Sequence, residues 1–282
     1  HISHLKVTGV KNWHKAESMM AAIDQAIAEG LDITFEQYPY PAGSTMMSAV
    51  LPPWVLEGST AATLQRLVDP ALQARIRHDV ENGVGRWQSL GTISGWNIAV
   101  SAVGSPRNQD KVGRRLPDLA REQGVSPLEV AIRLLVEEEM NVSMIIFHQS
   151  EDVIRLKMRH PRGGFGTDGL LGGNPHPRLY GTFPRVLGRY VREEKVLTLE
   201  DAVRKSTSLA AERLRLKDRG LIVPGMAADL VVFDPNAIVD TATFENPRQY
   251  PLGINWVLVN GTVVVREGVH TGARPGRSLK PA

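Results

Sequence analysis

With 282 residues, 42% of them apolar and 22% charged, the sequence has the balance of one large globular domain, or of one large and one small. Thirty-three basic against 30 acidic side chains leave a net charge of +3, spread without a basic run interleaved with aromatics, so a nucleic-acid module is unsupported. There is no cysteine, which excludes disulfides and thiolate metal sites within the chain, and no apolar stretch approaches the ~20 residues that cross a bilayer. The chain opens on His1 rather than Met and reads as a fragment; its first residues carry no apolar signal-peptide core, and a cytoplasmic location is the expectation.

In chain order, residues 2–7 alternate like a short strand that ends at Gly9. A helix is predicted over 16–28, with Met19, Met20, Ile23 and Ile27 on one stripe and Gly30 as its stop. Residues 31–35 read as a buried strand running into Glu36-Gln37-Tyr38-Pro39-Tyr40. Strand, helix and strand in some thirty residues form a βαβ unit and imply a parallel sheet. The pattern then breaks. From about 41 to 141 come Pro52-Pro53, helical pieces over about 61–81, a β stretch near 98–103, and a helix opened by Ser126, Pro127 and Glu129 as a capping box. Residues 142–147 are a predicted strand and 151–159 a short helix. Phe165-Gly166-Thr167-Asp168 ends a strand that opens into a glycine-rich loop over 169–173. A helix pair is expected over 183–193 and 198–214, the second with Thr198 and Asp201 as a capping box. Short strands over 230–233, 255–259 and 262–266 follow, with Asn260-Gly261 as a hairpin signal. A boundary is expected near 218, with residues 1–218 in the α/β part and 219–282 in a small all-β lobe.

Several side chains have the chemistry for a site. His4 and Lys6 lie two apart near a strand end and so share a face; His4 suits a zinc ligand and Lys6 a carboxylate anchor, unless His4 is an ordinary histidine at a frayed start. Asp168 precedes glycines that allow close backbone approach, so it suits metal ligation or proton transfer from water, or else a plain Asp-Gly turn. Tyr38 can donate to a developing oxyanion or simply pack. His176 and Arg178, in Asn174-Pro175-His176-Pro177-Arg178, either line a mouth and meet an anionic substrate or belong to a rigid solvated loop. His14, His78, His148, His160 and His270 lack a ligand partner at a convincing spacing and read as structural. No Walker-type phosphate loop and no serine nucleophile elbow occurs.

Taken together, Ser3-His4-Leu5-Lys6, Gln37-Tyr38-Pro39-Tyr40 with Ala42-Gly43-Ser44-Thr45, Gly166-Thr167-Asp168-Gly169, Pro175-His176-Pro177-Arg178 with Gly181-Thr182-Phe183-Pro184-Arg185, and Ala228-Asp229-Leu230-Val231-Val232-Phe233-Asp234-Pro235 resemble the C-terminal half of the N-acyl-D-amino-acid deacylases, a branch of the amidohydrolase superfamily. The resemblance covers essentially the whole chain, and its Pro-His-Pro-Arg…Gly-Thr-Phe-Pro-Arg run is the narrowest part.

It implies a fold that is the C-terminal part of a (β/α)₈ TIM-like barrel, with an insertion over about 41–141 and a small β lobe. It also implies zinc, one or two ions, with His4 and Asp168 as metal ligands and Asp168 as the catalytic proton carrier. Lys6 then faces the substrate carboxylate, and Tyr38 ends strand seven. The substrate is an N-acyl amino acid, and neither nucleic acid nor membrane is a partner. A barrel takes about 250 residues and a zinc site three or four ligands, so the N-terminal half of the barrel is expected from outside this sequence. Two other readings remain at this point: opening of a cyclic amide, which has no need of Lys6 facing a free carboxylate, and a non-catalytic half-barrel that serves as an assembly partner.

Overall fold

The structure is a computed structural model and describes residues 1–280. Helix α1 (Ala16–Ala28) forms where expected and buries Ala16, Met20 and Ile23, three and four residues apart, against Val153 and Phe35. The opening strand does not form as such. Ile2 alone bridges to Phe35, in parallel, with the Ile2 N–H on the Thr34 carbonyl and the Leu5 N–H on the Glu36 carbonyl, both at 2.9 Å. Between them His4 turns into the left-handed region, at φ 40°, and its N–H donates to the Glu36 carboxylate at 2.6 Å instead of to a ladder carbonyl. Strand β1 (Phe35–Gln37) starts four residues later than predicted, because Leu31 is still bonded to the Ala26 carbonyl of α1.

The next region is a layered unit. Strand β2 (Ala42–Met46) is followed by α2 (Thr60–Val68) and α3 (Pro70–Asn82), split where Pro70 follows the capping side chain of Asp69. Then come α4 (Leu90–Ile93), β3 (Ile98–Val103), α5 (Leu116–Gln123) and α6 (Pro127–Glu137), the last with the predicted capping box intact. Strand β4 (Val142–Phe147) runs antiparallel between β2 and β3, with Ser44 opposite Ile145 and Ala99 also opposite Ile145. The sheet therefore takes in 142–147 as its central strand, past the limit near 141 drawn from the sequence. Leu67, Ile76, Val80, Leu119 and Leu134 from the helices close over Ile98, Val100, Met144 and Ile146 in one apolar core.

Helix α7 (Glu151–Arg159) leads into β5 (Gly163–Phe165), which pairs with β1 in parallel, Phe35 to Gly163 through Gln37 to Phe165. Gly163 is needed there: a Cβ would stand 2.8 Å from the Phe35 ring. The helix expected to begin at Phe183 begins five residues earlier, as α8 (Arg178–Arg185), and continues past Pro184 into a π-helical stretch, Val186–Glu193. The helix expected over 198–214 is broken at Thr207 (φ −132°, ψ −87°) into α9 (Leu199–Ser206) and α10 (Ser208–Arg213). Its capping box is only half made. The Thr198 hydroxyl accepts from the Asp201 N–H, but the Asp201 carboxylate goes to Arg204 and Lys205 instead of returning to the cap. Last comes an antiparallel sheet in sequential order, β6 (Leu230–Phe233), β7 (Ile254–Val259), β8 (Thr262–Arg266) and β9 (Val269–His270). Asn260 and Gly261, both at positive φ, make the two-residue turn between β7 and β8 that their sequence predicts.

Candidate active site

The C-terminal ends of parallel strands are where an α/β fold presents chemistry. Here the pairing of Gln37 with Phe165 ends β1 and β5 level, and the Gly166 N–H donates to the Gln37 carbonyl at 3.1 Å. Tyr38 leaves the end of β1 and Asp168, at φ 44°, leaves the end of β5. Arg178, at the start of α8, bridges them. Its Nη2 lies 3.0 Å from Asp168 Oδ2 and 3.3 Å from the Ser44 carbonyl, and its guanidinium carbon sits 4.3 Å from the centre of the Tyr38 ring. Lys6 rests on the same ring at 5.5 Å, and its Nζ donates to His4 Nδ1 at 2.8 Å. Lys6, Arg178 and His176 thus meet around the Tyr38 ring, the last edge-on at 6.1 Å between centroids, with Asp168 attached through Arg178 and His4 through Lys6.

Burial sets the electrostatics. Arg178 is wholly buried, and its Nε and Nη1 have no hydrogen-bond partner among the described residues. Desolvation lowers Lys6 to about 8, against the opposing pull of the Asp168 charge, and Arg178 pushes it the same way as burial does. Desolvation raises the Tyr38 phenol to about 12, so it stays protonated and able to donate.

His176 does not line a mouth. It is 2% exposed, its Nδ1 accepts from the Arg178 N–H at 3.0 Å and its Nε2 donates to the Ala42 carbonyl at 3.1 Å, so both nitrogens are committed inside the chain. Burial and the Arg178 charge hold it neutral, well below the ordinary histidine pKa. It is a strut that fixes the backbone of Arg178 to β2. Tyr40 is likewise enclosed, with its hydroxyl toward Asp240 and Arg185 over its ring.

Three site neighbours went unmarked in the sequence. The Glu36 carboxylate holds the Ser3 hydroxyl at 2.7 Å and the His4 N–H, shaping the turn that presents His4. His148 was read as structural. It is 6% exposed, pushed down to about 4 by burial and by Lys6, and its Nε2 stands with the Tyr38 hydroxyl about the bare α-carbon of Gly43; a Cβ there would meet them at 2.9 and 3.0 Å. Lys157, wholly buried on α7, donates to the Leu5 carbonyl at 2.6 Å. An acid inside the strand that runs into Tyr38 is a readable signal for Glu36. Nothing local marks His148 or Lys157, which reach the site across 105 or more residues. His160, by contrast, ties α7 to Asp24 of α1 at 2.9 Å, away from the cluster.

As a metal centre the chain is partial. His4 and Asp168 are donors of the kind zinc takes, but no group of three or more His, Cys, Asp or Glu converges among the described residues. The loop after Asp168 is seated firmly. The Asn174 N–H donates to the Ser101 carbonyl at 2.7 Å, and Gly173 and Asn174 wall a cavity of about 530 Å³ with Arg115, Phe147 and Phe244.

The chain as a whole is similar to known proteins. Residues 62–265 match the model of the amidohydrolase family. A D-aminoacylase of Alcaligenes xylosoxydans xylosoxydans is 36% identical over 279 residues, covering 99% of this chain and 48% of its own. A solved D-aminoacylase structure, described by its binuclear metal center, aligns with a TM-score of 0.77 at 34% identity over 99% of this chain and 49% of that one. The N-acyl-D-glutamate deacylase of Bordetella bronchiseptica, complexed with zinc and a phosphonate mimic of the tetrahedral intermediate, aligns at 0.73 and 31% over 99% of this chain and 48% of that one. The chain belongs to the amidohydrolase family, with the α/β fold of the D-aminoacylase structures. It spans about half the length of the curated relatives it matches. No helix among the described residues is long and apolar enough to cross a membrane.

Proposed function

We propose that this chain is the C-terminal part of a zinc-dependent (β/α)₈ hydrolase that removes the acyl group from N-acyl-D-amino acids. On this reading β1 and β5 are staves of the barrel, the β2–β4 unit is an insertion over the site, and residues 219–282 form a separate small lobe. The observation that carries the reading is the polar cradle around Tyr38. A wholly buried guanidinium with two unpartnered nitrogens, beside a desolvated lysine, is costly unless a ligand completes it. A planar carboxylate takes Arg donors in a fork, and that is the free group of an N-acyl amino acid. A neutral cyclic amide has no group that needs both cations, which disfavours ring opening.

His4 and Asp168 would hold the metal, with the remaining ligands supplied from outside this chain. Zinc, when bound, supplies Lewis acidity and a lowered pKa for water. Lys6 and Arg178 bind the substrate carboxylate and set the amide over the site. The Tyr38 hydroxyl, protonated at neutral pH, donates toward the acyl oxygen as it gains charge. Asp168 accepts the proton of the attacking water and returns it to the leaving nitrogen.

The test is steady-state hydrolysis by the full-length, zinc-loaded protein of N-acetyl-D-leucine, its L enantiomer, and the matching N-acetyl amine without a carboxylate. Turnover confined to the D-amino acid supports the reading. Equal turnover of the carboxylate-free amide, or none of the D compound, overturns it. Lys6→Ala should raise KM far more than it lowers kcat, because it removes binding common to ground and transition states.

A further inference from the structure

We infer that Lys157 is a positioning residue of this site, whose Nζ–H···O=C bond to Leu5 sets the backbone between His4 and Lys6. The inference rests on the roles proposed above for those two residues.

The segment is fixed from the β1 side by the Glu36 carboxylate and the Ile2 bridge to Phe35, and Lys157 reaches it from α7. Residues 2–7 form no regular strand, His4 is in the left-handed region, and the His4 side chain makes one bond, to Lys6. The Leu5 carbonyl lies just past the turn at Ser3 and His4, and its partner comes from 152 residues away on α7. The same helix also takes the Gln37 side-chain amide on the Ile154 carbonyl at 3.1 Å, so α7 grips both the His4–Lys6 segment and β1 just before Tyr38.

Stability does not account for this lysine. It is wholly buried and has no carboxylate partner among the described residues, so an apolar side chain of equal length would be less costly there. An amine N–H donates whether or not the group carries its proton, so the bond persists across the pH range of the fold. Lys205 is the natural contrast. It too is buried, on α9, and it donates to the Met158 carbonyl, but it has an acidic partner, Asp201 at 2.8 Å, and touches nothing in the His4–Lys6 segment.

The experiment compares Lys157→Met and Lys205→Met in the full-length protein carrying ¹³C-carbonyl leucine and ¹⁵N-ring histidine. Lys157→Met should shift the Leu5 carbonyl and His4 ring signals and raise KM for N-acetyl-D-leucine about tenfold, the worth of roughly one hydrogen bond, with kcat within about threefold. Lys205→Met should lower the thermal midpoint and leave both signals and KM in place. Leu5 and His4 signals unchanged in Lys157→Met overturn the inference, as does an unchanged KM. If the wild type does not hydrolyse the D compound, the deacylase reading falls while the labelled signals still decide on Lys157. Lys157→Leu is read the same way should methionine pack poorly.

Discussion

The region from β2 to β4 and the region around β1 and β5 are held together in opposite ways. In the first, an antiparallel sheet is covered by helices around an apolar core that includes Leu67, Ile76, Ile98, Val100, Leu134 and Ile146, and the polar side chains buried beside it, such as Ser89, Asn108 and Glu138, are hydrogen-bonded within the unit. In the second, two parallel strands of three residues each carry a neighbourhood whose buried groups include Tyr38, His148, Lys157, His176 and Arg178. Each of those needs a partner or a ligand to offset its desolvation. The first region supplies stability from its own residues. The second keeps polar groups out of water where, on the proposed reading, a substrate and a metal complete them. Stability and chemistry are thus carried by different parts of one chain, and each part can be struck separately.

The largest effect is expected at Asp168. In the full-length protein Asp168→Asn should cut turnover by about 10²–10⁴-fold, the range of a general acid–base group. Retention of more than about a tenth of the rate would make Asp168 a turn residue and erase the chemical side of the contrast. On the other side, Ile146→Ala should cost about 2–5 kcal/mol in denaturant unfolding, because it leaves a cavity among the apolar side chains packed around it. A cost below about 1 kcal/mol would show that the β2–β4 unit is not the tightly packed element described here.

The loop after Asp168 joins the two regions and sharpens the comparison. Gly173 has φ +47°, and a Cβ on it would stand 2.1 Å from the Ser101 carbonyl of β3. Gly173→Ala should therefore cost more than the ~1–2 kcal/mol of a left-handed non-glycine residue, and it should also lower turnover by displacing Asp168. Unfolding and initial rates measured on the same preparation would show a loss of stability without a loss of rate if the loop does not link the two.

The smallest effect belongs to the surface. Arg155 and Arg189 bond the Glu194 carboxylate at 2.8 and 2.6 Å and hold it down to about 2. A lowered carboxyl pKa stabilises the fold above its ordinary value near 4.5, and that contribution is lost as pH falls from there toward 2. Glu194→Gln should remove this part of the acid sensitivity, by less than about 1 kcal/mol because the pair is partly solvated. Thermal midpoints at pH 3 and pH 6 measure it. A larger effect would mean that surface charge, rather than apolar packing, carries stability next to the site.

What was legible in the sequence was local. The α6 capping box, the Asn260-Gly261 turn and the stripe of α1 each depend on residues within a few positions of one another, and all three formed as read. Lys6, Tyr38 and Asp168 stand out in the sequence by residue type and place at strand ends and Arg178 by its proline-flanked loop, and the fold brings these four together. Where distant partners compete, local pattern lost. The Glu36 carboxylate drew off the His4 N–H and broke a strand that alternation had predicted, and Arg204 and Lys205 drew Asp201 away from its cap. Burial was decided only by the tertiary fold. Pro175-His176-Pro177-Arg178 reads as a polar loop, yet packing against β2 encloses both the imidazole and the guanidinium and commits both nitrogens of His176. His148 and Lys157 could be placed beside the site only by the pairing of β2 with β4 and by the packing of α7 under the first turn. Hydrogen bonds and desolvation act through space, and sequence distance does not measure them.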